Sequence, residues 1–427
     1  MECMEVAVKE VLKPQRSIRN RLHSIDWDSC WVREVHESYA RPLVPNERCG
    51  LWYVDPHDVV DSAYFKSTDG HTNEWSFSTR RLNFHLLPLI NAHNGIILVD
   101  STRRGKTIPD ALSKTVPLWC ATLNYIMNPQ HGTESNNWLF TPGQFVSRNE
   151  AHSMANLIPQ FAERVLELGL TSPEELKQKL GGKYLRPLWV YPGQMLPLEQ
   201  VGEYEDFHPV ICCVASQRAD DGMKKMNGYV YVQGAADDHE LWAGSLTSQS
   251  FWKNREKLLD KSLNDGEILD LTRTLVDEST PGDCSVQDVV VLTSGISIGQ
   301  ITHNADSFDQ QFDTVLLLSE KYTSPDCRVI HFPLSCSKKG SNELRKHLPQ
   351  ILSLQYNSIL ILCESGTDLS PGVALALLAT RYNLQWELEP NLLVTKDVVK
   401  KHLAKISSVK KVNPSRATLQ AINTCIM

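Results

Sequence analysis

Leu360–Gly372 reads LILCESGTDLSPG: an apolar run ends in Cys363, a polar loop with a glycine follows, and Leu369 onward begins a helical pattern. A buried strand feeding a helix through such a loop aims free backbone N–H groups at one point, which favours an anion. Working outward, DVVVLTSG, DTVLLLSE, RVIHFPL and SILILC read as short buried strands. SNELRKHLPQILSLQ reads as a helix, and VALALLATRY as a helix apolar nearly all round, hence central. Strands alternating with helices predict a doubly wound, mostly parallel sheet, with its ligand loop after the carboxyl end of a strand. The turn-rich stretch DESTPGDCSV, residues 277–286, marks a boundary between an N-terminal domain (1–280) and a C-terminal one (285–427). The larger N-terminal α/β domain repeats the unit: GIILVD as strand, STRRGKT as loop, then a helix starting near Pro109 with Thr107 as cap and Asp110 in its first turn.

The chain has 427 residues and a net charge of −7, which argues against wholesale basic nucleic-acid binding but leaves room for local patches. No apolar run is long enough for a membrane span, and the N-terminus lacks an apolar signal core. Its 11 cysteines are scattered, with no Cys-x-x-Cys pair, so reduced thiols in a cytoplasmic protein are expected rather than a disulfide frame or zinc site.

Four segments carry candidate chemistry. Asp100-Ser101-Thr102-Arg103-Arg104-Gly105-Lys106-Thr107 misses the nucleotide-loop pattern GxxxxGK[ST] by one residue, Asp100 standing for the first glycine. An aspartate there repels phosphate, yet three cations in four residues suit a phosphate or pyrophosphate cradle better than a solvated loop. Lys66 and His71 flank a donor-dense turn, with Arg80 and Arg81 after it; a plain polar turn explains the Ser-Thr-Asp-Gly between them equally well. Asp237, Asp238 and His239 follow the period-two strand Tyr229–Val232, where acids can hold Mg²⁺ or act as a general base, or simply cap a helix. Trp242 beside them would stack a base or fill core.

The Cys363 loop has the Cys-x5-Arg layout of cysteine phosphatases with Leu369 in place of arginine. Cys363, Ser365, Gly366, Thr367, Asp368 and Ser370 are compatible with a second phosphate loop, but the dianion's arginine is missing. Glu364 and Asp368 add negative charge that would raise the thiol pKa, so phosphatase chemistry is not expected. Basic patches occur near both ends. Arg16, Arg19 and Arg21 lie in one, and Lys400, Lys401 and Lys405 in the other, where Lys401 and Lys405 are spaced to share a helix face.

Taken in series, KSTDGH…WSFSTRRLN, DSTRRGKTIPDALSKTVPLWC, YVQGAADDHELW, CESGTDLSPGVALALL and NPSRATLQAIN resemble the eukaryotic initiator tRNA phosphoribosyltransferases of fungi and plants, over most of the chain. The resemblance implies transfer of a 5-phosphoribosyl group from phosphoribosyl pyrophosphate (PRPP) to the 2′-hydroxyl of adenosine 64 in the T-stem of initiator methionine tRNA. That adduct excludes the tRNA from elongation. The resemblance also implies a dual-specificity-phosphatase-like C-terminal domain, and no obligate protein partner is inferred. Mg²⁺ usually accompanies a pyrophosphate leaving group, with Asp237 and Asp238 as its expected ligands. The basic patches would track tRNA phosphates. The departure is that Asp237-Asp238 is followed by His-Glu-Leu-Trp rather than the Thr-Gly-x-Thr of common phosphoribosyltransferases. The alternative reading is a catalytically dead, phosphatase-like module that only binds phosphate.

Overall fold

The computed structural model describes residues 14–66, 74–132, 138–244, 246–277, 285–389 and 392–427. The chain divides into two compact units. One comprises most of the chain up to Ser279; the other comprises 280–427 with the short segments 79–82 and 168–170.

The N-terminal unit is built on four parallel strands: β1 (Leu43–Pro45), β2 (Ile96–Asp100), β3 (Tyr184–Val190) and β4 (Phe207–Val214) in the order β1-β2-β4-β3. Pro187 is tolerated inside β3 because that strand lies at the sheet edge and bonds to β4 alone. Helix α1 (Ile18–Tyr39) is capped by Ser17, whose hydroxyl accepts from the Asn20 N–H. Its apolar stripe, Leu22, Ile25, Val32 and Val35, packs in one core with Ile97 and Val99 of β2 and Ile211 and Cys213 of β4. Helix α2 (Val116–Met127) lies against β3, where the Asn124 amide both donates to the Leu185 carbonyl (2.8 Å) and accepts from its N–H (2.9 Å). A hairpin of β5 (Met223–Lys225) and β6 (Val230–Val232) stands apart from the sheet. Helix α3 (Asp265–Asp277) reaches α1 through Asp265, which accepts from the Ser17 hydroxyl.

The C-terminal unit is a five-stranded sheet in the order β10-β9-β11-β8-β7. Strands β8 (Ile296–Ile301), β11 (Ile359–Cys363), β9 (Thr314–Leu318) and β10 (Val329–Phe332) run parallel, with β11 buried at the centre. Helices α4 (Lys338–Leu352), α5 (Leu369–Arg381), α6 (Lys396–Val409) and α7 (Arg416–Ile426) complete it. Helix α5 is buried from Leu369 to Ala379, as its all-apolar pattern predicts. The mostly parallel α/β architecture is as expected, with one correction. DVVVLTSG does not form a buried parallel strand: β7 (Val286–Thr293) is a largely exposed edge strand, antiparallel to β8. Strand β8 takes the inner place. Ile296 and Ile298 share one face, while Ser297 and Gly299 precede Ile301 on the other and dilute its apolar signal; Gly299 packs closely, a Cβ there standing 2.9 Å from a Leu362 methyl.

Candidate active site

The carboxyl ends of β2 and β4 are neighbours, Asp100 pairing with Val214, so the loops that leave them meet. The Ser216 hydroxyl accepts from the Thr102 N–H (3.0 Å) and donates to the Thr102 carbonyl (2.9 Å). Asp100 is fully buried and does not line the cavity described below. Its carboxylate accepts from the Cys49 thiol (2.8 Å), the Asn46 amide (2.9 Å) and the Ser101 N–H (2.9 Å). Burial, then the neighbouring Asp100, push the Cys49 thiol well up, so it stays protonated and donates. In the place of a phosphate-loop glycine, this aspartate is therefore the internal brace of the loop.

Past the brace, Arg104 and Gly105 both take left-handed backbone (φ 59° and 73°), which turns the chain sharply. The buried Gln233 side chain stitches this turn to its surroundings. Its oxygen accepts from the Gly105 and Ala219 N–H groups (3.0 and 3.1 Å), and its nitrogen donates to the Lys106 carbonyl (2.7 Å). Gly234 (φ 66°) lets the loop after β6 touch the loop after β2: a Cβ here would stand 2.7 Å from the Thr102 carbonyl oxygen.

The third loop carries the acids. Arg103 reaches across to both, its Nε 3.7 Å from Asp237 Oδ2 and its Nη1 paired with Asp238 Oδ2. Arg48 Nη2 lies 3.4 Å from Asp237 Oδ1. Burial raises the Asp237 pKa, with Arg48 and Arg103 opposing and Asp100 adding to the rise. Arg21 donates to the carbonyls of Ala235 (2.6 Å) and Asp237 (3.1 Å) and lies 5.3 Å over the ring of Trp242, whose indole N–H donates to the same Asp237 carbonyl. Trp242 is thus a buried support for the acid loop. A cavity of about 280 Å³ opens between these loops, walled by Arg21, Arg103, Arg104, Asp220, Asp221 and Asp237 among others.

Several expected residues lie elsewhere. Lys106 is at the loop's far side, 3.6 Å from Asp110, which also meets Lys114 (3.7 Å). No Thr107 cap forms; a π-type turn begins at Ala111. His239, half-exposed, faces Glu240 (3.8 Å) and is not part of the cavity wall. Neither Asp237 nor Asp238 caps the short turn that follows. Lys66 is exposed, its carbonyl accepting from the Thr115 hydroxyl, and His71 falls outside the described residues. Among the described residues no group of three or more His, Cys, Asp or Glu side chains is placed to hold a metal.

The basic patches are partly spent on structure. Arg16 is exposed, but Arg19 donates to the carbonyls of Gly228 and Lys261, and Arg21 is in the cavity. Lys401 pairs with Asp397 (3.0 Å), and Lys405 donates to the Leu384 carbonyl with its ammonium 4.5 Å over Trp386. Lys400 is half-buried on the same helix.

The Cys363 loop is closed by its own side chains. The Ser365 hydroxyl accepts from the N–H groups of Thr367 and Asp368, and the Gly366 N–H donates to the Cys363 carbonyl. Asp368 accepts from the Ser415 N–H (2.8 Å) and the Thr418 hydroxyl (2.7 Å) at the start of α7. Leu369, in the arginine position, is fully buried in the hydrophobic core. Ser370 lies 3.2 Å from the Cys363 sulfur. The thiol does not shift as expected from its acidic neighbours: Glu364 turns to Ser319 and Lys321, and Asp368 to α7. Burial pushes the Cys363 thiol up, but hydrogen bonds from Cys336, Ser370 and Ser365 outweigh it and bring it down.

A cationic loop facing paired acids beyond the strand ends of a parallel sheet is the arrangement of α/β proteins that take phosphorylated ligands. Residues 11–276 match the family described as the Rit1 N-terminal domain, and residues 328–426 the Rit1 DUSP-like domain. The chain is 39% identical to the tRNA A64-2′-O-ribosylphosphate transferase of Saccharomyces cerevisiae, over 98% of its own length and 94% of the relative's. It is 36% identical to an uncharacterized protein of Schizosaccharomyces pombe, over 99% and 96% respectively. The chain belongs to the Rit1 family.

Proposed function

We propose that this protein transfers a ribosyl phosphate from PRPP to the 2′-hydroxyl of adenosine 64 of initiator methionine tRNA. The observation that carries the reading is the cavity walled by Arg103 and Asp237, where Arg103 also pairs with Asp238 of the same acid loop. A donor with a 5′-phosphate and a pyrophosphate needs cations and loop N–H groups, and Arg21, Arg103 and Arg104 border this space. The arginine forks would bind phosphate oxygens and stabilise charge as the pyrophosphate departs. The acid loop suits a Mg²⁺ ion bound by one carboxylate together with substrate phosphates, and Asp238 would hold it, leaving Asp237 free to take a proton. Such an ion would neutralise the leaving group.

In the reaction the 2′-oxygen bonds to the donor's anomeric carbon, the bond to pyrophosphate breaks, and the hydroxyl proton goes to a base. Asp237 is the best candidate: it borders the cavity, and its raised pKa improves its basicity while burial excludes bulk water. His239 is outside the cavity wall. The closed Cys363 loop and the core position of Leu369 weigh against a phosphate-binding module as the main function.

The direct test is transfer from radiolabelled PRPP with Mg²⁺ to purified initiator and elongator methionine tRNAs in parallel. Label on initiator tRNA alone is expected. Label on neither, from folded protein, would refute the reading.

A further inference from the structure

Helix α1 contributes Arg21 to the cavity and, farther along, an exposed aromatic face. Trp27 is 50% exposed, unusual for so large a ring. Trp27, Trp31 and Glu34 follow at helical spacing; Trp27 and Glu34 are exposed, and Trp31 is half-buried with one side packed on the core. With Cys30, Pro192 and Gln217 they border a second cavity of about 250 Å³, below the usual size of drug-like pockets and suited to one ring system.

The floor of this cavity is fixed. Asp28 accepts from the Tyr231 hydroxyl (2.9 Å) and the Gln217 N–H (3.3 Å), and burial raises its pKa well above the usual range. The Trp31 indole N–H is buried without a partner. Cations stand beside the aromatic wall: exposed Arg33 donates to the Cys30 sulfur (3.3 Å), and Arg218, next to Gln217, is largely exposed and pairs with the exposed Asp220 (3.4 Å). Aromatic rings with cations beside them suit a single-stranded nucleotide, the base stacking and the phosphates meeting arginine. Glu34 supplies an acceptor for an exocyclic amine. The same connection serves both cavities, since Ser216 holds the phosphate loop and Gln217 borders the second space.

We infer that the cavity bordered by Trp27, Trp31 and Glu34 binds one unpaired, amino-bearing base, adenine, cytosine or guanine, of the RNA substrate, apart from the reacting nucleotide. The inference rests on the proposed tRNA substrate. A bound base fixes the register of the tRNA on the protein, while the paired T-stem, whose bases are stacked, is presented to the donor.

The test is dimethyl sulfate probing of initiator tRNA, which reads N1 of adenine, N3 of cytosine and N7 of guanine, with direct binding measured in parallel. Wild-type protein is expected to protect one unpaired adenine, cytosine or guanine. Trp27→Ala should lose that protection and weaken tRNA binding about 5- to 150-fold, and Trp27→Phe should restore most of both. Glu34→Ala, at an exposed position, should weaken the protection in the same direction. PRPP binding should be unchanged in all three. The inference fails if wild-type protein modifies the tRNA yet protects no unpaired base, or if Trp27→Ala binds the tRNA as wild type does. Wild-type protein that binds no tRNA would overturn the functional reading and this inference with it. A cavity that instead serves a protein partner would appear as absence of base protection.

Discussion

Replacing Arg103 by alanine removes a side chain that touches both acids of the loop after β6. In the free protein its guanidinium is shared between Asp237 and Asp238, and it is 44% exposed, so these pairs contribute only about 0.2–1 kcal/mol each. With donor bound, the same fork can make two charge-assisted hydrogen bonds to phosphate, at roughly 1.5–3 kcal/mol apiece. After subtracting the pairs given up, the net loss in Arg103→Ala is about 2–5 kcal/mol, or about 30- to 5,000-fold in kcat/KM for PRPP. Lysine should recover part of this, having the charge but not the fork. Asp237 then keeps Arg48 as its charged partner, and its pKa, already raised by burial, rises further. The folded state binds more protons than the unfolded one between the unfolded and native pKa values. Stability therefore falls as pH rises through that window, and the window extends upward in the variant. The assays are donor binding by calorimetry, transfer kinetics, and thermal unfolding across pH. Unchanged kcat/KM in a folded variant would refute the assignment of Arg103 to the donor, and an unshifted stability profile would refute its electrostatic link to Asp237.

Asp237→Asn should lower transfer about 10²- to 10⁴-fold and abolish the rising acidic limb of the pH–rate profile. In wild-type protein that limb should be displaced upward from an ordinary aspartate's, because burial raises Asp237 and the base works only when ionised; a limb that survives in the variant places the base elsewhere. Gly234→Ala puts a Cβ 2.7 Å from the Thr102 carbonyl at φ 66°. It should cost about 1–3 kcal/mol by chemical denaturation and weaken PRPP binding as the two loops separate; unaltered donor affinity would count against the loop contact. Leu369→Arg should not restore phosphatase chemistry. It places an unpaired charge in a core position, with an expected loss of about 3–5 kcal/mol, and a stable variant that hydrolyses p-nitrophenyl phosphate would contradict the closed-loop description.

The C-terminal sheet was legible because its central strand and helix, ILILC and the run from Leu369 to Ala379, are buried on nearly every side and therefore apolar throughout. Strand β8 was not, since a glycine packs closely against Leu362 there and dilutes the hydrophobic signal. In the N-terminal unit the three-residue β1 and the proline-bearing edge β3 leave little pattern to read. The cationic loop and the acids after β6 could be identified as chemistry, and folding brings Arg103, Asp237 and Asp238 together. Charge in sequence does not reveal direction, however. Arg21 lies in a basic run yet turns to the acid loop, and Asp100 carries a charge yet faces inward. Arg48 had no motif around it, and Gln233, though inside YVQGAADDHELW, had no role assigned; the parts both play come from distant partners. An Asn-x-Arg-Cys sequence just past a short apolar run was the available hint for Arg48, whose neighbours Asn46 and Cys49 both hold Asp100.

The three donors on Asp100 come from two residues just past β1 and from the loop itself. The turn that follows is therefore ordered before any ligand arrives, as part of folding the core. Conformational entropy that a glycine-rich loop would lose on closing around phosphate has already been removed. Donor affinity should then reflect electrostatics and shape with little ordering of the loop, and the entropy of donor binding should be less unfavourable than for a loop that must wrap its ligand. A chain that replaces Asp100 by glycine would approach the nucleotide-loop consensus in sequence while losing the rigidity on which its own loop depends.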